Sequence, residues 1–251
     1  MTRAAAIFAF ALSPVCAAFA VQIEGAAFFK AVRDSVKVSR NSEPLKIARN
    51  STIPANGLQI SVPAGEILGI AFSNETSVIA VGPAEFSVDA LSQEAPAAAD
   101  APGERESHPS KIGISVSRGK LVFAAAERLE RSEFSIKFPE AVATVRARIA
   151  VAETGPKGSR LAPFGGTARI RAGGGIWDVV KDENFARVVS GGGNPKTLFE
   201  RAYSRERAEL SVLMKSAEIL RESTFFKLGK DGKFSAETVM PKTFFSMPAR
   251  R

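Results

Sequence analysis

Side chains able to do acid–base, nucleophilic or metal chemistry are scarce in this 251-residue chain. His108 is the only histidine and Cys16 the only cysteine, so neither a histidine-based triad nor a multi-histidine metal centre can be built. Carboxylates are present, but no pair stands in a context typical of paired-carboxylate catalysis. The glycine run at residues 173–175 precedes the strand-like IWDVV, whereas a phosphate-binding loop leads into a helix. The sequence therefore predicts a non-enzymatic protein with no cofactor and no metal site.

Two arginines point instead to binding or to strand anchoring. Arg146 and Arg148 are two residues apart in FSIKFPEAVATVRARIAV, residues 134–151, and strand alternation places both on one face. Such guanidinium groups can contact an anionic ligand, or they can fix the strand by donating to neighbouring carbonyls or a carboxylate. We favour the structural role for Arg146.

The charge of the chain is basic but dispersed along the sequence. The formal net charge is +8, and acidic residues usually interrupt the lysines and arginines. Proteins that bind nucleic acids concentrate positive charge on one face or in one groove. We therefore expect no nucleic-acid partner.

The first 20 residues, MTRAAAIFAFALSPVCAAFA, have the features of a cleaved export signal. A basic start precedes an apolar run, and Ala18 and Ala20 form the A-x-A arrangement that signal peptidase accepts. Pro14 breaks the run, which is shorter than the roughly 20 apolar residues of a membrane span. We expect cleavage before Val21 and a periplasmic or extracellular protein with no disulfide and no transmembrane span.

Short alternating runs between turn residues predict an all-β domain over residues 30–190. Residues 92–110, SQEAPAAADAPGERESHPS, lack this periodicity and predict an exposed, mobile loop inside the domain. Residues 112–125 are interpreted as a hairpin of two short strands with its turn at Gly119.

The hydrophobic period then changes, and residues 194–222 predict one long C-terminal amphipathic helix. Asn194 is the expected N-cap and Pro195 the expected first helical residue. The apolar seam of this helix can pack on its own domain, which we favour, or form a partner surface. The residues proposed for a partner surface are Phe199, Tyr203, Leu210 and Leu213. Residues 223–251 form a basic tail for which the sequence predicts no structure.

Three blocks of the sequence resemble the FecR-like domain family. They are SNETSVIAVGPAEFSV, SRGKLVFAA and FSIKFPEAVATVRARIAV, and the last is the most specific, because it matches an apolar strand, a proline and then Ala-Val-Ala-x-Val-Arg-Gly. The matching motif residues are Pro139, Val142, Val145 and Arg146, to which we assign structural roles. Ala147 stands where the family usually has glycine. The resemblance implies a β-sandwich or β-solenoid-like domain of short strands, here followed by the helix and tail.

The resemblance also implies a place in the cell envelope. Well-known family members relay signals through a cytoplasmic anti-sigma segment, one membrane span and a periplasmic FecR-like domain, and this sequence matches only the last part. We expect an exported, non-enzymatic domain that binds another envelope component, protein or glycan. The alternative is a periplasmic sensor module that works with an outer-membrane receptor or a separate membrane regulator.

Overall fold

The computed structural model describes residues 21–95, 103–189, 194–201 and 204–239. The predicted export signal and Tyr203 lie outside these residues. Within them the chain forms 17 strands and one helix. Their bounds are β1 Gln22–Glu24, β2 Ala26–Ala31, β3 Lys37–Arg40, β4 Glu43–Leu45, β5 Ser51–Pro54, β6 Leu58–Val62, β7 Ile67–Phe72, β8 Thr76–Glu94, β9 Ser110–Ala125, β10 Glu133–Lys137, β11 Ala141–Gly155, β12 Gly158–Ala172, β13 Asp178–Val180, β14 Asn184–Val189, β15 Lys196–Arg201, α1 Ser204–Glu222, β16 Thr224–Leu228 and β17 Phe234–Thr238.

One large mixed sheet organises the fold. Fifteen strands belong to it, in the main order β15-β14-β12-β11-β10-β9-β8-β6-β3-β4, while β16 and β17 form a separate antiparallel pair. The long strands β9 and β11 pair directly at one end, and β10 is inserted between them at the other. The described part of the chain is therefore mostly β with one helix, as the sequence predicts, whereas the finer prediction of a sandwich or solenoid is not confirmed.

The centre of the sheet is buried on both faces. On β8, Val78 and Ala80 belong to the larger hydrophobic cluster, while Ile79 belongs to a second cluster that includes residues of α1. β9 and β11 alternate in the same way, since Val122 and Val151 face the helix side. Two-sided burial explains why the central segments of these strands, residues 78–81, 121–125 and 149–152, are continuous apolar runs.

The predicted hairpin at residues 112–125 is wrong, because these residues lie in the single long strand β9. Gly119 has φ +92°, and a Cβ there would lie 2.6 Å from the Cα of Ala84 on β8. The pairing of β8 with β9 also shifts register between Val81 and Glu85. The glycine therefore permits a close approach between two bent strands, and it does not reverse the chain.

The predicted helix begins later than expected. Residues 196–201 form β15, whose Phe199 pairs with Ala186 of β14, so the predicted helix start at Asn194 is wrong. Pairing with a distant strand outweighs the local helical pattern here. Helix α1 begins at Ser204. No helix in the described part of the chain is both long and apolar enough to cross a bilayer.

Arg160 of β12 fixes α1 to the sheet. Its Nη1 lies 2.7 Å from Oε1 of Glu206 on the helix and 2.9 Å from Oε2 of Glu153 on β11. Its guanidinium lies 4.1 Å from the centroid of the Phe185 ring. Burial disfavours the charge of Arg160, but the hydrogen bond to Glu206 and the neighbouring carboxylates outweigh it and raise its pKa. The helix is thus held by ionic contacts as well as by apolar packing.

The predicted mobile loop at residues 92–110 is ordered at both described ends. Its first residues continue β8 and pair with β1. Beyond the undescribed residues 96–102, Glu106 is 4% exposed, and its Oε1 accepts a hydrogen bond from Nη1 of Arg128 at 2.7 Å. Arg128 also donates to Ser110 Oγ at 3.2 Å. A buried ion pair, which the sequence pattern does not reveal, therefore holds this segment to the domain.

Candidate functional site

A cavity of about 1040 Å³ lies beside the strands at one end of the sheet. The segment of residues 32–47, which includes β3 and β4, forms one part of its lining, and β6 and β8 form another. The lining combines half-buried apolar residues such as Leu45 and Ile47 with polar ones such as Gln59 and Ser61. A concave site with both kinds of side chain is typical of a ligand site.

Strand register brings the polar lining together. Ser39 pairs with Gln59, and Gln59 pairs with Ser87, so a row of uncharged polar side chains crosses β3, β6 and β8. Ser39 Oγ donates to Gln59 Oε1 at 3.3 Å. The alternate residues Ile60 and Phe86 belong to the large hydrophobic cluster, which fixes the strands beneath the row. The row offers hydroxyl and amide groups that suit sugar hydroxyls or peptide groups.

The charged lining of the cavity does not resemble a catalytic or metal centre. Lys37, Lys46 and Glu85 are exposed residues of the lining. No group of three or more His, Cys, Asp or Glu side chains in the described ranges could hold a metal ion. The arrangement supports binding through hydrogen bonds, apolar contact and charge.

The four motif residues lie along one end of β11 and the turn before it. Pro139 is exposed in the turn between β10 and β11, Val142 is half-buried and Val145 is 1% exposed in the core. Arg146 is exposed, and its Nη2 donates to the carbonyl oxygen of Glu130 at 2.9 Å. This bond ties β11 to the segment that leads into β10.

β11 continues without interruption through Ala147. The backbones of β11 and β12 approach closely here, and the glycine that permits this approach is on β12. Ala147 pairs with Gly166 of β12 and is buried. Gly166 has φ +153°, and a Cβ there would lie 2.7 Å from Cα of Ala147. Close approach of the two backbones therefore depends on Gly166.

Replacing Gly166 with alanine is expected to lower the free energy of unfolding by about 1–3 kcal/mol, because the new Cβ would meet backbone atoms and the φ angle is unfavourable for alanine. Urea unfolding would measure the change. Gly155→Ala on the paired strand is the matched control, since no heavy atom lies within 4 Å of its Cβ position. Equal stability of both variants would contradict the assigned role of Gly166.

Arg148 belongs to a basic face made by two neighbouring strands. On β12, Arg169 pairs with Thr144 and Arg171 with Val142, so these arginines lie on the same face of the sheet as Arg146 and Arg148. All four arginines are exposed. Arg148, Arg169 and Arg171 form no ion pair with any residue that the structure describes. Strand register therefore brings four of the 34 lysines and arginines together on one face.

The residues predicted for a partner surface do not form one surface. Phe199 is on β15 and 56% exposed, whereas Leu210 on α1 is 1% exposed. Leu213 is partly buried in the cluster between helix and sheet that contains Leu210. Tyr203 lies outside the described residues. The inner face of α1 is thus occupied by the protein's own sheet.

Sequence reasoning missed both the cavity and the breadth of the basic face. Ser39, Gln59 and Ser87 are far apart in sequence, and only strand register brings them together. One part of the sequence indicates the basic face: in ARIRAGGGIWDVV, residues 168–180, two alternating arginines precede the only tryptophan. Only the pairing of β12 with β11 places these arginines beside Arg146 and Arg148.

Comparisons with known proteins give a distant structural similarity. Two crystal structures of a "putative anti-sigma factor" from Parabacteroides distasonis ATCC 8503, at 2.50 and 1.65 Å resolution, each match with a TM-score of 0.41 and 13% identity. They cover 60% and 61% of this chain and 62% and 64% of their own chains, so the match spans less than two thirds of those structures. No family model and no curated protein matches the sequence.

Proposed function

We propose that this is an exported, non-enzymatic, FecR-like β-domain protein that binds another component of the cell envelope, a protein or a glycan. The cavity beside β3, β6 and β8 carries the proposal, because its volume of about 1040 Å³ is at the upper end of small-ligand sites. A cavity of this size suits a short stretch of a polymer better than a single small metabolite.

The lining supports a ligand with many hydrogen-bonding groups. Serine hydroxyls and the Gln59 amide can each donate and accept hydrogen bonds, and the neighbouring apolar residues provide contact area. A sugar chain and an extended peptide both combine hydrogen-bonding groups with apolar surface. A peptide could also add a strand to the sheet edge at β4, but Pro44 on this strand lacks a backbone N–H and therefore reduces the capacity of the edge for such pairing.

Site-specific photocrosslinking tests the proposal. A photoreactive residue at Ser61, which lines the cavity, is expected to give a discrete adduct in the envelope of the producing cell. The same residue at Ser211, which is exposed on α1, is the matched control and should give none. Mass spectrometry of the adduct then identifies a protein or a glycan.

A cavity-filling variant provides the second arm of this test. Ser61→Trp should abolish an adduct formed from a probe at Gln59, whereas Ser211→Trp should leave it unchanged. Adducts of equal yield at Ser61 and Ser211, or an adduct that survives Ser61→Trp, would contradict a ligand in the cavity. The alternative hypothesis, a sensor module, predicts that the adduct contains an outer-membrane receptor or a membrane regulator.

A further inference from the structure

The loop that follows β12, together with the next strand β13, presents apolar side chains to solvent. Ile176 is 89% exposed and Val179 is 54% exposed. The loop begins with three glycines: the N–H of Gly173 donates to the carbonyl oxygen of Glu140, whereas no heavy atom lies within 4 Å of the Cβ position of Gly174. Single exposed apolar residues are common on protein surfaces, but Ile176 lies next to the only tryptophan, Trp177, and burying both side chains together would be favourable.

The basic face lies directly behind this loop. The guanidinium carbons of Arg169 and Arg171 lie 5.4 and 5.1 Å from the ring centroid of Trp177. A guanidinium held against an aromatic ring keeps its N–H edges available for phosphate or carboxylate oxygens. Arg146 and Arg148 extend the positive charge across β11, and the exposed Lys137, which pairs with Val142, extends it to β10.

We propose that residues 173–177 and the arginines behind them form a peripheral membrane-binding surface for bilayers with anionic headgroups. Ile176 would enter the boundary between headgroups and acyl chains, and Trp177 would lie at the headgroup level, where its amphipathic ring is favoured. The arginines would bind lipid phosphates, which accept bidentate hydrogen bonds from guanidinium groups. A cluster of basic residues is also attracted by the negative potential of such a surface.

A bilayer accounts for more of this surface than a soluble polyanion does. An acidic glycan or a nucleic acid could neutralise the arginines but would leave Ile176 in water. Single-stranded nucleic acids also need aromatic rings on which bases stack, and two guanidinium groups already lie against the ring of Trp177. The membrane surface lies on different strands from the cavity and does not depend on the proposed ligand there.

The single tryptophan allows a direct test with the protein purified in its exported form. Vesicles of equal parts phosphatidylglycerol and phosphatidylcholine should shift the Trp177 emission to shorter wavelength, and lipids brominated on their acyl chains should quench it. Pure phosphatidylcholine should bind much more weakly, and added salt should weaken binding to the anionic vesicles. Absence of a shift and of quenching with anionic vesicles would overturn the proposal.

Vesicle cosedimentation of variants tests whether binding depends on this surface or only on the net positive charge of the protein. Ile176→Ser should weaken binding by about tenfold. Arg169→Gln with Arg171→Gln should weaken it by about 25-fold, at roughly fivefold per basic residue. Arg49→Gln with Arg207→Gln removes the same charge from two exposed residues outside this surface and the cavity and should change binding by less than about twofold.

Two further outcomes would overturn the proposal. Equal losses from the two double variants would show that net charge alone drives binding. Binding to soluble polygalacturonate or to single-stranded DNA in preference to anionic vesicles, without quenching by brominated lipid, would assign the face to a polyanion instead. Neither outcome affects the crosslinking test at the cavity, so the two proposals can fail separately.

Discussion

Replacing Arg128 with methionine is expected to lower the free energy of unfolding by about 3–5 kcal/mol, because the buried Glu106 carboxyl group would lose its only described cationic partner. The side chains of Arg128 and Glu106 are 3% and 1% exposed. Burial lowers the pKa of Arg128, and the nearby charge of Glu106 opposes this effect. Ser110 and the main-chain N–H of Leu129 also donate to the Glu106 carboxylate, so the pair organises a wider polar network. Urea unfolding would measure the loss.

An exposed arginine nearby provides the control for this prediction. Arg131 pairs with Glu94 at 3.2 Å, but its side chain is 74% exposed, so Arg131→Met should cost less than about 1 kcal/mol. The double variant Arg128→Met, Glu106→Gln should recover part of the loss because it buries no unpaired charge. If Arg128→Met were no worse than Arg131→Met, residues 103–110 would be the mobile loop that the sequence predicts.

The elements that could be predicted from sequence are those whose pattern is local. The sequence ILGIAF with its flanking turn residues predicts a strand at residues 67–72, and β7 has those bounds. KTLFER, residues 196–201, is apolar at positions that fit either a strand or the first turns of a helix. Its antiparallel pairing with β14 makes it a strand, and that pairing is not visible from the segment alone.

Features that depend on cross-strand register could not be predicted. The polar row of the cavity joins residues from β3, β6 and β8, and the basic face joins β11 with β12. Gly119 shows the same limit, since a strand bend and a hairpin turn both use a glycine with positive φ. The contact of Arg146 also depends on the fold, because the carbonyl oxygen that it contacts belongs to Glu130, 16 residues earlier in the chain.

The buried side of α1 gives the second large expected effect. Leu210 is 1% exposed, in a cluster with Phe28 of β2, Val122 of β9 and Phe185 of β14. Leu210→Ala would leave a cavity between helix and sheet, and it is expected to lower the free energy of unfolding by about 2–5 kcal/mol. The midpoint of urea unfolding, with an unchanged slope, would report this loss.

A substitution at Val212 on the same helix is the control, because it changes helix propensity without removing a buried side chain. It is 68% exposed, and alanine has the higher helix propensity, so Val212→Ala should change stability by less than about 0.5 kcal/mol or raise it slightly. The ionic contact between Arg160 and Glu206 supports the same docked position. If Leu210→Ala unfolded at the same urea concentration as Val212→Ala, the helix would not be packed on the sheet in solution. Its apolar seam, including Leu213, would then be available to a partner, as the alternative interpretation of the sequence requires.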